Sequence, residues 1–374
     1  MRVFIQSIVA QILLNPYIFW RGYQAIPPKK SWRIPYILLF VLELSLFFFG
    51  FAFRNVLPDQ TMITIQYICN TWYIASLYIT LSLLLLEVLR LSNRFFHWFP
   101  GWITSHWKQT KLTLFFVIIA FVTGLMFHAY HVVTRPIVKN VYITLPKGNS
   151  DRDSMKIVMM SDLHIGEVIG KKMVQRYVSL SNAQHPDMVV LVGDIMDYES
   201  RFAEMEHIED DLQQLKAPLG VYVVNGNHEY RANRFAKYRW LAKTGTTLLI
   251  DSIVQPDSSF YLIGRDDYVN KKRKALHTLM ADIDTTKPII VLDHQPWSFA
   301  EMAMNGVDLG LHGHTHNGQL WPYPLLMKLI YECPYGYHKK GPTQFYVSSG
   351  IGIAGPPYRV GTVSELVVLH IKFK

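Results

Sequence analysis

Charge and thiols are what this chain has least of. Charged residues make up 17% of its 374 positions against 50% apolar ones, a balance unlike that of an ordinary soluble enzyme. Two cysteines are present: Cys69 lies in an apolar run and Cys333 in a loop-like stretch. This excludes a disulfide framework and reads both as unpaired thiols, which say nothing about compartment. Acids are nearly missing from the first third. Residues 1–134 hold ten Lys/Arg but only Glu43, Asp59 and Glu87, a net +7 of the formal +9, leaving +2 for the rest. A basic nucleic-acid surface is a poor reading, because the longer half is close to neutral. There is no internal repeat and no low-complexity tract. No small-x-small cleavage site follows the first apolar run before Trp20 and Arg21, which argues against a cleaved signal peptide.

Long apolar runs are what the chain has in place of charge. Residues 35–53, broken only by Glu43, and residues 62–89 and 112–133 each supply the roughly 20 apolar residues that cross a bilayer. Residues 3–20 are weaker, interrupted by Gln6, Ser7, Gln11 and Asn15, and read as a first span or as an interfacial helix. The expectation is a transmembrane bundle over 1–134 with about four helices, near 3–20, 35–53, 62–89 and 112–133. Loop charge sets the orientation. The first loop carries Arg21, Lys29, Lys30 and Arg33, and the third Arg90, Arg94, Lys108 and Lys111; the second has Arg54 against Asp59. The positive-inside rule puts loops one and three in the cytoplasm, so the N-terminus and everything after Val133 are expected outside. Glu43 inside a span is a candidate functional carboxyl; the alternative is one neutralised against a neighbouring helix. The aromatics Phe47, Phe48, Phe49, Trp72, Trp98, Trp102 and Trp107 fit interfacial belts and helix packing.

From Arg135 the composition becomes that of a soluble domain. Residues 135–155 read as a linker that can also open a strand. Short aliphatic runs follow at 156–160, 188–192, 220–224, 246–250, 259–263, 288–292, 308–312, 344–348 and 366–371. Helical patterns fall between several of them, at 170–184, 199–215, 231–243, 271–284 and 297–304. Strands alternating with helices predict a layered α/β domain over 156–374.

Five short segments at the ends of these runs carry the chemistry. Asp162 and His164 follow the first, and i, i+2 side chains of an extended segment point the same way. Asp194 follows Gly193, whose freedom allows a sharp turn and close approach. A carboxylate there can bridge two cations about 3.5–4 Å apart. Asp197 is not counted among the direct ligands. Asn227 offers an amide oxygen, and His228 beside it is better placed to donate a proton than to bind metal. His294 follows another apolar run, and His314 and His316 repeat the i, i+2 spacing. Taken singly these residues are ordinary; together they supply carboxylate, imidazole and amide donors with no thiol, a set suited to paired divalent ions.

The order Asp162-Leu163-His164, Gly193-Asp194-Ile195-Met196-Asp197, Gly226-Asn227-His228-Glu229, Asp293-His294 and Gly313-His314-Thr315-His316 resembles the calcineurin-like metallophosphoesterases, over residues 156 to 371. The runs Leu292–Pro296, Gly313–Gln319 and Val347–Gly352 look like a bacterial branch of membrane-associated phosphoesterases and UDP-diacylglucosamine pyrophosphatases. Asn317 and Ser349 depart from that branch, which often has Gly and Arg there. The resemblance implies a layered β-sandwich flanked by helices. It implies one metal held by Asp162, His164, Asp194 and His316, and a second by Asp194, Asn227, His294 and His314, with Mn, Fe or Zn as candidates. It makes His228 the general acid, oriented by Asp197, for water attack on phosphorus. It also implies a bacterial inner (cytoplasmic) membrane location.

Substrate class rests on the apolar stretch from Leu320 to Tyr335. Trp321 and Leu325 are the expected contacts of a lipid or lipid-linked phosphate at the bilayer surface, the alternative being ordinary packing. Asp267 is a weaker substrate-binding candidate, since Asp266-Asp267 also suits a turn. Rival readings are a membrane sensor whose domain binds a phosphorylated ligand without turnover, a UDP-diacylglucosamine pyrophosphatase-like enzyme if the domain faces the cytoplasm, and transport. Few polar residues on the spans (Glu43, Asn70, Glu87) speak against the last. The partners expected are the bilayer and a phosphorylated substrate, with no nucleic acid; oligomeric state cannot be read.

Overall fold

The computed structural model describes residues 2–53 and 56–374, with side chains at position 8 and from 11 onward. It divides into two compact units, Met1–Ala129 with Gly355–Pro357, and Tyr130–Ala354 with Tyr358–Lys374.

The first unit is helical: α1 (Arg2–Ala25), α2 (Lys30–Phe53), α3 (Asp59–Phe96), the short α4 (Gly101–Ser105), and most of α5 (Trp107–Thr134). Among the described residues three helices, α2, α3 and α5, are long and apolar enough to cross a membrane. The expected first span is not among them. Residues 3–20 do fold within α1, but Gln11, Asn15 and Pro16 lower its apolar content. Those polar residues face inward rather than toward lipid. Gln11 and Asn15 are buried and both donate to the Glu43 carboxylate, Asn15 at 3.0 Å, while the Trp72 indole donates to Asn15 Oδ1 at 2.9 Å. Glu43 is therefore the carboxyl answered by neighbouring helices. The Tyr36 hydroxyl donates to the Ile18 and Phe19 carbonyls, close against Gly22, where a Cβ would meet the phenol oxygen at 2.1 Å. Arg54, the cation expected in the second loop, lies outside the described residues.

The second unit is built on two six-stranded sheets. The first has the order β1 (Ile137–Leu145), β12 (Glu365–Phe373), β2 (Ser154–Met160), β3 (Met188–Val192), β4 (Val221–Val224), β5 (Thr247–Leu249). The second runs β10 (Gly336–Lys340), β11 (Thr343–Val347), β9 (Leu309–His312), β8 (Ile289–Leu292), β7 (Tyr261–Gly264), β6 (Ser252–Val254). Strand alternation divides the apolar residues between layers. In β3, Met188, Val190 and Val192 face the core shared with the second sheet, where they meet Leu262, Ile290 and Leu309. Val189 and Leu191 face the opposite way, with Val174 and Tyr177 of α6 (Lys171–Asn182) and Trp240 of α9 (Arg234–Leu241). The outer face of the second sheet is covered by α10 (Leu276–Leu279) and α11 (Phe299–Met304) through Leu276, Phe299 and Met302. The result is the layered sandwich flanked by helices. Each fully buried aliphatic contributes about 1.5–3 kcal/mol, which fixes the register that aims the strand ends.

Several expectations shift. The residues read as a linker contain β1, paired in parallel with β12 from Ile137↔Glu365 to Leu145↔Phe373. The pattern at 199–215 breaks into α7 (Arg201–Met205) and α8 (Ile208–Leu212), around His207 in the left-handed region. The pattern at 271–284 yields only the single turn of α10. Residues Tyr323–Ile330 form α12, a helix with no buried residue.

Candidate metal centre

The five segments converge because their strands run together. β2, β3 and β4 pair in parallel, as do β8 and β9. Asp162, Asp194, Asn227, His294, His314 and His316 all leave the C-terminal ends of these strands, where open α/β sheets gather ligands. The local reason differs from the i, i+2 alternation expected. Asp162, His164, Asp194, His314 and His316 have φ between 49° and 74°, in the left-handed region. So many strained non-glycine residues in one place point to a functional site that the surrounding sheet over-determines. The same turns send His314 and His316 to different groups. Glycines make the approach possible: a Cβ on Gly226 would lie 2.1 Å from Asp194 Oδ1, and one on Gly193 (φ 76°) 2.5 Å from the His294 ring.

Three overlapping groups of donors result: Asp162, His164 and His316; His164, Asp194 and His228; and Asp194, His294 and His314. Within each, one donor atom per residue lies within 4.8 Å of the others. His164 Nε2 and His316 Nε2 are 3.0 Å apart, and His316 Nε2 is 3.4 Å from Asp162 Oδ1. His294 Nε2 stands 3.2 Å from Asp194 Oδ2 and 3.9 Å from Asp162 Oδ1. Asp194 is thus common to two groups, and His164 joins two. Buried donors without partners show what the arrangement fits. The Asn227 amide oxygen and His294 Nε2 are enclosed and make no hydrogen bond. Such atoms are costly unless a cation answers them. His294 Nδ1 meets the Val192 carbonyl at 2.7 Å, which places its proton there and turns Nε2 inward.

Electrostatics agree. Burial pushes the Asp194 carboxyl up, but His294, His228 and His164 outweigh it and hold it well below the usual carboxylate range. Burial opposes charge on His294, yet Asp194 and Asp162 raise it well above normal, so the carboxylates draw a positive charge to this point. Burial, helped by His294, pushes His314 down to about 4; burial and His164 push His316 down as well. Neutral imidazoles are the ligating form.

Among the described residues, then, the sequence-derived candidates sit as follows. Asp162, His164, Asp194, His294, His314 and His316 share the cluster. Asn227 aims a buried oxygen without a partner. His228 has Nδ1 3.0 Å from Asp197 Oδ1 and 2.6 Å from the Asp197 carbonyl, with Nε2 3.9 Å from Asp194 Oδ2. Asp197 Oδ1 also lies 3.4 Å from His164 Nδ1. Asp267 is fully buried, accepting from Gln295 and from the Val269 backbone; Asp266 accepts from Asn225, Tyr230 and Asn270. Trp321 and Leu325 are 48% and 55% exposed, the latter on α12.

The profile of the calcineurin-like phosphoesterases matches residues 155–318. A metallophosphoesterase of Aquifex aeolicus is 33% identical over 238 residues, covering 62% of this chain and 88% of that one. The chain belongs to the calcineurin-like phosphoesterase family. A Danio rerio protein named a transmembrane protein with metallophosphoesterase domain is 27% identical over 395 residues, covering 99% of this chain and 89% of that one. A metallophosphoesterase of Campylobacter jejuni is 33% identical over 246 residues; the match spans 64% of each, less than two thirds of that relative's length.

This phosphoesterase site rests on buried residues that motif reading passes over. Glu229, quoted in the third segment but given no role, accepts from the backbone N–H groups of Asp194, Ile195, Met196 and Gly226. Its carboxylate thereby ties the second and third segments together. Lys237 donates to the His228 carbonyl at 2.6 Å. Arg359, fully buried, donates to the carbonyls of Ser349, Gly352 and His316. Nothing in the sequence around Arg359 signals this, because its partners are backbone carbonyls, two in its own loop between β11 and β12 and one at His316 after β9.

Proposed function

We propose that the chain is a membrane-anchored, dinuclear metal-dependent phosphoesterase that hydrolyses a phosphate ester or pyrophosphate of a lipid or lipid-linked substrate. The observation that carries the chemistry is the sharing of Asp194 and His164 among three donor groups, with the Asn227 oxygen left for a cation. One ion is assigned to Asp162, His164, Asp194 and His316, the other to Asp194, Asn227, His294 and His314. A bound pair supplies neutralisation of phosphoryl charge and a lowered pKa for the attacking water. The chain's own residues do the rest. Asp194 fixes the spacing of the two donor sets. His228 Nδ1 donates to Asp197, which fixes the ring and leaves Nε2 as the nitrogen that, in the charged imidazolium, is placed to deliver a proton to a leaving oxygen. Burial opposes charge on His228, but Asp194 and Asp197 outweigh it and raise its pKa, which favours the charged ring.

The lipid assignment is supported by α12. Leu325, Leu326, Leu329 and Ile330 are 47–82% exposed, and the helix begins at Tyr323, shortly after the turn His316–Gly318. Tyr331 just after its end packs at a tilt against Trp297, with ring centroids 4.3 Å apart, and lies 6.3 Å from the His314 ring. An apolar lip beside the ligands suits a substrate that stays in a bilayer surface.

The reading of the membrane side is supported by loop charge before α5, the helix whose chain continues into the second unit. The basic residues Arg90, Arg94, Lys108 and Lys111 precede or open it, so the positive-inside rule places the phosphoesterase domain outside. This holds whether or not α1 crosses. Metal analysis of detergent-purified protein, followed by turnover of phosphatidate, lipid diesters and nucleotide-lipid pyrophosphates in vesicles, tests the reading. Turnover of soluble esters alone removes the lipid assignment; absence of bound metal removes the whole proposal. A C-terminal reporter active only in the cytoplasm tests the orientation and overturns it by being active.

A further inference from the structure

The helical unit carries a half-open pocket of about 770 Å³ that the phosphoesterase reading does not use. Its volume lies within the roughly 300–1,000 Å³ typical of small-molecule sites. The interior is aliphatic and aromatic, with Ile79, Leu83 and Leu86 of α3 facing Phe115 and Ile118 of α5. Trp72, whose indole donates to Asn15, lies among its walls. The opposite character gathers at the helix ends, where Arg21, Arg90 and Lys111 join the lining and no carboxylate does. Glu87, outside the lining, is shared by Arg21 and Arg90, and among the described residues no ion pair is made by Lys111. Trp98, Trp102 and Trp107 also line it and are 50%, 66% and 38% exposed. Such a tryptophan belt marks the headgroup level of a bilayer.

An apolar interior that ends in three cations against one carboxylate, a net positive charge at headgroup depth, is complementary to an amphiphile with an anionic head. Basic pockets between membrane helices hold anionic lipid headgroups for this reason. We propose that this cavity holds one anionic glycerophospholipid, its phosphate between Arg90 and Lys111 and one acyl chain along Leu83, Leu86 and Ile118. On the orientation given above the lipid comes from the cytoplasmic leaflet, whose surface is negative. The inference goes beyond the phosphoesterase reading and does not rest on it, since every lining residue belongs to the helical unit.

The test uses full-length protein in nanodiscs of phosphatidylcholine with a minority of phosphatidylglycerol. Lipids retained after mild detergent extraction are counted by native mass spectrometry. One phosphatidylglycerol is expected per chain, enriched roughly tenfold or more over its share of the bilayer. The double variant Arg90→Gln, Lys111→Gln should abolish the enrichment, while Lys108→Gln, outside the lining, should keep it. Leu83→Trp fills the interior without changing charge and should also expel the lipid. An unchanged cooperative thermal unfolding of the helical signal, followed by circular dichroism in detergent, verifies that each variant is folded. Equal retention of both lipids by the unaltered protein overturns the proposal, and so does enrichment that survives either the double variant or Leu83→Trp.

Discussion

Both halves of this chain bury a carboxylate among helices or strands, and they satisfy it in opposite ways. Glu43 in the helical unit accepts from two amides, Gln11 and Asn15, themselves buried and tied to Trp72. Asp194 in the phosphoesterase domain faces three imidazoles, His294, His228 and His164, while the buried Asn227 amide oxygen has no hydrogen-bond donor. Amides complete a polar group and leave nothing over, which is what a helix in lipid requires. Imidazoles around a carboxylate leave unsatisfied lone pairs, which is what a cation requires. Burial of an acid is therefore a weak guide to function; the nature of its partners decides.

The strongest way to break this comparison is Asp194→Asn. Losing the shared carboxylate should remove bound metal and lower kcat/KM on bis(p-nitrophenyl) phosphate by more than about a hundredfold, beyond the 10–100-fold cost of changing a residue that only supports a ligand. A variant that keeps both metal and rate would reduce Asp194 to the status of Glu43. Next in size is His228→Gln, which separates two roles the geometry leaves side by side. Its Nε2 lies within reach of both His164 and Asp194, so it could ligate as well as donate a proton. As proton donor, its loss should cost about 10²–10⁴-fold in kcat on alkyl phosphoesters and far less on p-nitrophenyl esters, whose leaving group needs no proton. Metal content should stay unchanged; its loss would make His228 a ligand.

Glu229→Gln probes the support beneath the site. Its carboxylate accepts four backbone N–H bonds, and the substitution replaces one acceptor oxygen by a donor facing N–H groups. We expect a loss of about 1–3 kcal/mol in thermal or denaturant unfolding of the phosphoesterase domain. A smaller effect is expected from Leu325→Ser with Leu329→Ser on α12. Turnover of vesicle-bound substrate should fall by up to about tenfold as apolar contact area is lost, with the rate on soluble esters unchanged. Equal losses on both substrates would mean that α12 supports the site rather than meeting lipid.

What the sequence reveals and what it hides divide along physical lines. The run 188–192 coincides with β3 because that strand is buried on both faces, and an unbroken aliphatic run is the signature of such a strand. β1 and β10 are hard to read because they are edge strands. Lys139, Asn140, His338, Lys339 and Lys340 interrupt any apolar pattern there, as edges that must not aggregate require. The site's donors were legible as motifs, yet the reason they converge was not. Alternation along an extended segment was the expected cause, whereas left-handed backbone at Asp162, His164, Asp194, His314 and His316 is the observed one. Arg359 reaches the His316 carbonyl and Glu229 the Asp194 backbone, groups distant in sequence that no local pattern records.

The finest test of the comparison is Glu43→Gln. If Glu43 is a satisfied structural carboxyl, an amide of the same shape keeps an acceptor oxygen toward Asn15 and loses only part of the contact with Gln11. Hydrogen bonds between membrane helices contribute about 0.6 kcal/mol on average, so the unfolding midpoint in detergent should move by a few degrees at most. Phosphoester turnover should not move at all. The spans otherwise offer few polar side chains, and a carboxyl that served proton or ion movement could not be replaced by a neutral amide without loss. A collapse of turnover with the fold intact would therefore put Glu43 beside Asp194 as a working group, and would make the helical unit part of the reaction rather than its anchor.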